Sequence, residues 1–139
     1  MSLVLDTSVT LSWYFEDERT PASLALLHRV AQDGAVVPVL WRLEVANGFA
    51  SAIRRKRIDR AYRDASLFDL AAMPIAIDPE TDSKAWSASL HLADQYNLTI
   101  YDATYLELAL RRQLPLATFD DAIRKASRAA GVVVLGTVP

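Results

Sequence analysis

"TPASLALLHRVAQDGAVVPV", residues 20–39, contains a helix start, a helix stop and the strand that follows. Thr20 supplies the side-chain oxygen of an N-cap. Pro21 fits the first helical position, where its missing N–H costs nothing. Gly34 stands just past the last helical residue. Directly behind it, "AVVPV" (35–39) is a short apolar run bounded by turn residues, and "LVL" (3–5) upstream is another. Working outward, "PIAI" (74–77), "PLATF" (115–119) and "VVVL" (132–135) repeat the strand signal. Helical patterns lie between them, over about 40–56, from Asp59 onward, from Asp78–Pro79 to about Tyr96, and from Thr99 through "LTIYDATYLELAL" (98–110). Strands alternating with helices predict an α/β fold. The expected architecture is a three-layer sandwich with a mostly parallel sheet of about five strands and right-handed crossovers. No repeat, low-complexity segment or linker interrupts the chain, so residues 1–139 read as a single domain.

Composition removes several function classes. Hydrophobic residues make up 52% of the 139, too many for a disordered chain. No apolar run approaches the ~18 residues needed to span a bilayer, so no membrane role is expected. "MSLVLDTSV" has no basic leader and already reads as a strand, which argues against secretion. There is no cysteine, hence no disulfide and no thiolate metal site, in keeping with a reducing cytoplasm. Net charge is −2, so any contact with nucleic acid has to come from local patches.

The acids are more informative. In an open parallel sheet, ligands bind outside the carboxyl ends of the strands. Asp6 follows the first strand and Asp120 follows "PLATF"; Glu44 lies on the helix leaving the second strand, and Asp102 opens its own helix. At 100° per residue, Asp102 shares a face with Leu106, Ala109 and Leu110, while Thr104, Glu107 and Arg111 form the polar side. An inward carboxylate needs a partner or a raised pKa. On the Glu44 helix, Ala46, Phe49, Ala50 and Ile53 read as one side, opposite Glu44, Asn47, Gly48, Ser51 and Arg55. Each acid also has an ordinary reading. Asp120 can cap a helix starting near Asp121, Asp6 with Thr7 and Ser8 can close a strand in a turn, and Glu44 can sit on a solvated face.

Taken together, two carboxylates ~4–5 Å apart repel by roughly 3–4 kcal/mol at an effective dielectric near 20. A cluster of three or four must take up protons, recruit bases or bind a cation. Oxygen-only donors without Cys or His favour a hard ion, Mg²⁺ or Mn²⁺. Such a site leaves room for a phosphate and an attacking water, which implies metal-assisted phosphodiester hydrolysis.

Four stretches carry a family resemblance: "LVLDTSV" (3–9), "PVLWRLEVANGF" (38–49), "YDATYLELA" (101–109) and "LATFDDAI" (116–123). In order, spacing and placement they resemble the four motifs of PIN domains, and are most similar to the VapC-type toxins of type II toxin–antitoxin pairs. The resemblance implies a PIN-like sandwich and a Mg²⁺- or Mn²⁺-dependent endoribonuclease whose catalytic acids are Asp6, Glu44, Asp102 and Asp120. It assigns Asp6 and Asp102 as direct metal ligands, with Glu44 and Asp120 acting through water or a second ion. Thr7, Ser8, Asn47 and Thr118 match positions that hold carboxylates by hydrogen bonds. Asp121, beside Asp120, is either cap chemistry or an auxiliary acid. The same resemblance implies an RNA substrate, a cognate antitoxin and a homodimer.

Of the basic residues in "RRKR" (54–57) and Arg124, Lys125 and Arg128, Arg55 is the candidate RNA contact, because it shares Glu44's face. His28 and His91 have no partner at ligand spacing, and Trp13, Trp41 and Trp86 read as core or interface aromatics. Two other functions compete with the nuclease. A non-catalytic α/β binding module would keep the acids as caps. A haloacid-dehalogenase-like phosphatase would use "DTSVT", but Ser8 stands where that family has a second aspartate.

Overall fold

Parallel pairing brings the five apolar runs into one sheet of order β3-β2-β1-β4-β5. In the computed structural model, which describes residues 2–136, the strands are β1 (Val4–Leu5), β2 (Ala35–Val37), β3 (Ile75–Ile77), β4 (Leu116–Ala117) and β5 (Val134–Leu135). Registers such as Val4 with Val36 on one side and Val4 with Leu116 on the other place β1 in the middle. The chain builds the β2–β3 half first, then returns to the opposite side of β1 with β4. That reversal opens a crevice at the carboxyl ends of β1 and β4. The strands are shorter than the apolar runs, because flanking residues such as Leu3 and Pro38 are buried without joining the ladder. The two ends of the expected 1–139 domain, Met1 and residues 137–139, lie outside the described residues.

Helices cover both faces. α2 (Pro21–Asp33) starts as its sequence dictates: Thr20 accepts from the Ser23 backbone N–H, and Ser23 Oγ accepts from Thr20 N–H. Gly34 ends it at φ +78°, where a side chain would also press the Pro74 carbonyl. Asp59 caps α4 (Arg60–Ala71) and Thr99 caps α7 (Ile100–Arg112), both through the N–H three residues on. The helix expected from Asp78–Pro79 begins later, with α5 (Thr81–Lys84). It then passes through a π-helical turn (Ala85–Ser89) into α6 (Leu90–Tyr96).

Three helical readings need correction. The segment after Asp6 is not a simple turn but a helix, α1 (Thr7–Ser12). Six residues, three of them β-branched, give too little periodicity and propensity to show in sequence. Packing sustains it: Leu11 lies so close to Gly48 that a Cβ there would come within 2.5 Å of Leu11 Cδ1. On α3 (Trp41–Arg54) the buried stripe is Trp41, Val45, Phe49 and Ala52, so Phe49 alone of the expected apolar side is fully inside. Glu44, next to Val45, therefore borders the core instead of opposing it.

The third correction concerns α7. It is sandwiched between the sheet and the α5–α6 segment, and every residue from Ala103 to Ala109 is buried. Its polar side is therefore an internal one. Glu107 and Arg111 form a salt bridge at 2.8 Å, and Arg111 and Arg112 both reach Asp78, whose side chain is fully buried behind β3.

Candidate active site

Asp6 occupies the N-cap position of α1 at the end of β1, yet its carboxylate caps nothing. Ser8 Oγ donates to Asp6 Oδ2 at 2.6 Å, and Thr118 Oγ1, just beyond β4, donates to the same oxygen at 2.7 Å. Oδ1 has no hydrogen-bond partner among the described residues. Ser8 Oγ also accepts from Phe119 N–H, and Thr118 Oγ1 accepts from Asp120 N–H at 3.0 Å. Two hydroxyls thus tie the ends of β1 and β4 together around one carboxylate. Burial pushes the Asp6 pKa up to about 6; the two hydroxyl bonds pull the other way, and the charges of Glu44 and Asp102 add to the rise.

Glu44 reaches this region from α3. Its Oε1 accepts from Thr7 Oγ1 at 3.1 Å and from the Tyr105 hydroxyl at 2.5 Å. Tyr105 was not among the sequence candidates, although it stands three residues after Asp102 in "YDATYLELA". The signal was a side chain with a polar tip on a helix face otherwise filled by Leu and Ala. Burial, then the charges of Asp6 and Glu44, keep its phenol protonated.

Asp102 is half-buried, one turn before Tyr105. Burial raises its pKa first, followed by the charges of Asp120 and Glu44, while Thr99 lowers it. Leu110, on the same helix side, is 37% exposed, so this side lies at the rim of the core. Asp120 does cap α8 (Asp121–Ala129), through Ile123 N–H at 2.9 Å, and its charge still bears on Asp102. The cap and the cluster are compatible readings of one residue. Asp121 is exposed in the first turn and is not the cap.

The four sequence candidates therefore form one electrostatic neighbourhood at the crevice between β1 and β4. They do not close into a cage: among the described residues, no group of three or more acidic or histidine side chains is placed to hold an ion. The set consists of oxygen donors alone. Mg²⁺ is commonly held by one or two carboxylates and several waters, and that open mode suits this arrangement.

The PIN domain family matches residues 3–129 of the chain. The chain belongs to the PIN domain family. Among solved structures, PAE2754 from Pyrobaculum aerophilum is similar at 20% identity with a TM-score of 0.70, covering 96% of this chain and 89% of that one. FitAcB from Neisseria gonorrhoeae is similar at 18% identity and a TM-score of 0.63, covering 97% and 96%. A search of curated proteins finds no match. The structural likenesses establish the fold.

The remaining sequence candidates of this PIN domain lie farther out. Asn47 is exposed, and its side chain makes no hydrogen bond among the described residues. Arg55 is exposed at the C-cap of α3, about 16 Å along the helix axis from Glu44. Arg57 is committed elsewhere: it pairs with Asp17 and Glu18 and stacks on Phe15 at 4.6 Å. His28 and His91 are exposed. Trp13 and Trp41 are buried, with indole N–H groups donating to Ser23 O and Thr10 Oγ1, whereas Trp86 is 94% exposed. Among the described residues no helix is long and apolar enough to cross a membrane.

Proposed function

We propose that this single PIN domain, residues 1–139, is a Mg²⁺- or Mn²⁺-dependent endoribonuclease, the toxin of a VapC-type toxin–antitoxin pair. The carrying observation is an uncompensated charge. The charges of Glu44 and Asp102 bear on Asp6, those of Asp120 and Glu44 bear on Asp102, and among the described residues no Lys, Arg or His forms a salt bridge with any of the four. Asp6 and Asp102, raised by burial and by neighbouring acids with no basic partner, have the character of a site that takes a cation. Family membership supports nuclease chemistry and sets aside the phosphatase alternative.

In this reading Asp6 and Asp102 hold the ion, with Glu44 and Asp120 contacting it through water or at a second position. A divalent ion there neutralises the carboxylates and supplies an acidified water at neutral pH. The chain does the rest. Ser8 and Thr118 fix Asp6 Oδ2 and leave Oδ1 without a hydrogen bond among the described residues, so that oxygen would be the one available to an ion. Thr7 steadies Glu44. The N-terminus of α7 favours both the Asp102 carboxylate and an approaching phosphate. Arg55, exposed three helical turns from Glu44, is the residue this reading assigns to a flanking phosphate of the RNA. A cognate antitoxin, a homodimer and cytoplasmic action complete the reading and rest on the VapC resemblance.

The test maps new 5′ ends in total cellular RNA incubated with the protein in Mg²⁺, Mn²⁺ or EDTA. Discrete cuts that vanish in EDTA and with Asp102→Asn are expected. Cutting that survives either change refutes the assignment. RNA binding without cleavage in any ion would leave the binding-module alternative standing.

A further inference from the structure

Tyr105 is fully buried, but its hydroxyl is not spent on the core. It donates to Glu44 Oε1 at 2.5 Å across 61 positions of sequence and lies 2.9 Å from Thr7 Oγ1, which donates to the same oxygen. One carboxylate oxygen is thus held by groups from α1 and α7, while the carboxylate itself comes from α3. Glu44 Oε2 has no hydrogen-bond partner among the described residues. A glutamate has three side-chain torsions to fix, and two donors on one oxygen select a single orientation for the other. A phenol is a donor at neutral pH without any special environment. A phenylalanine would fill the same space without fixing anything.

We propose that Tyr105 is a positioning residue that, together with Thr7, pins Glu44 Oε1 and so directs Oε2 toward the crevice between β1 and β4. The inference rests on the nuclease reading and adds a residue to its machinery. It also explains why Glu44 can serve from the rim of α3: its aim is set by a helix on the other side of the carboxylate, the helix that carries Asp102. Tyr105 thereby couples two acid-bearing helices, so a change at either is felt by both.

The experiment is a double-mutant cycle with Tyr105→Phe and Glu44→Gln, read in two ways. In urea unfolding with EDTA present, the two changes should be non-additive, with a coupling of about tenfold in the unfolding equilibrium constant, as expected for a hydrogen bond to a charged group. In RNA cleavage with Mg²⁺, Tyr105→Phe should lower kcat about 10- to 100-fold with KM within about twofold, the usual cost of losing an outer hydrogen bond to a reacting carboxylate. That loss should shrink to within about twofold in the Glu44→Gln background. A structural role would lower stability without a kcat-specific loss that depends on Glu44. Wild-type kcat in Tyr105→Phe, or losses that multiply, overturns the positioning role while leaving the nuclease intact. No cleavage by the wild type overturns the nuclease reading itself, and this role with it.

Discussion

Replacing Asp78 by Asn tests whether the buried ion network under α7 holds the fold together. Arg111 donates to Asp78 Oδ2 at 2.7 Å and Oδ1 at 3.1 Å, Arg112 donates to Oδ1 at 2.8 Å, and Glu80 N–H donates to Oδ2 at 3.2 Å. The carboxylate itself is buried, while Arg112 beside it is 40% exposed, so solvent screens part of this network. Removing one partner of a buried pair costs about 3–5 kcal/mol, because the other charge is left behind. Here the cost should sit near about 3 kcal/mol, the low end of that range. Arg111 keeps Glu107 and Glu80, and Arg112 is 40% exposed and can turn to water. With an unfolding entropy near 2 cal/mol/K per residue, that is a fall in Tm of roughly 10 °C for a chain of this size.

The pH dependence gives an independent check on the same figure. Burial alone would raise the Asp78 pKa, but the hydrogen bonds and charges of Arg111 and Arg112 outweigh it and hold the pKa at about 2, against 3.8 unperturbed. A depressed folded pKa contributes stability above the unfolded pKa and loses it as pH falls through the folded one. The contribution is therefore complete above about pH 5 and largely lost near pH 2, and amounts to roughly 2 kcal/mol. Urea unfolding of wild type and Asp78→Asn from pH 7 down to 2.5 should show the stability difference closing over that window. An unchanged Tm at pH 7, or a difference that persists undiminished at low pH, would refute the reasoning.

Other perturbations have equally definite outcomes. Asp6 has the opposite sign: its folded pKa of about 6 means stability is complete below pH 4 and lost as pH rises through 6. In EDTA at pH 8, Asp6→Asn should therefore be more stable than wild type by up to about 3 kcal/mol in urea titration, and no more stable at pH 4. Thr118→Val keeps shape but removes the hydroxyl that serves both Asp6 and the Asp120 N–H. A 10- to 100-fold loss of kcat is expected in the cleavage assay, and a twofold change would count against the role. Gly48→Ala forces a Cβ against Leu11, and calorimetry should show a loss of about 1–3 kcal/mol, nearer the lower value because the Leu11 side chain can move.

The parts of this molecule that were legible in sequence are those governed by local chemistry. Thr20–Pro21 and Gly34 mark a helix because capping is decided within four residues, and Asp59, Thr99 and Asp120 cap as their types predict. Asp6 and Asp120 could be placed at one edge because a parallel sheet collects everything that directly follows its strands. What escaped was settled by contacts distant in sequence. α1 depends on Gly48 and Trp41, and Tyr105 matters because of a glutamate 61 positions away. The polar side of α7 is internal, since a helical wheel cannot show that a second layer of helices covers it.

Two aspartates bring out what distinguishes the site from the rest of the fold. Asp6 and Asp78 each directly follow a strand of the same sheet, and both are buried. Asp78 is given two arginines, and its pKa falls to about 2; Asp6 is given two hydroxyls and the charges of neighbouring acids, and its pKa rises to about 6. Burial is common to both, so the difference lies in the partner. Hydroxyls can orient a carboxylate without neutralising it, whereas a guanidinium does both and leaves nothing for a ligand. An aspartate held in place and left charged costs stability above pH 6, and in the proposed function a bound cation would offset that cost. The same sheet edge thus carries one carboxylate satisfied for folding and one left without a neutralising partner, and it is the second that the proposed function assigns to the ion.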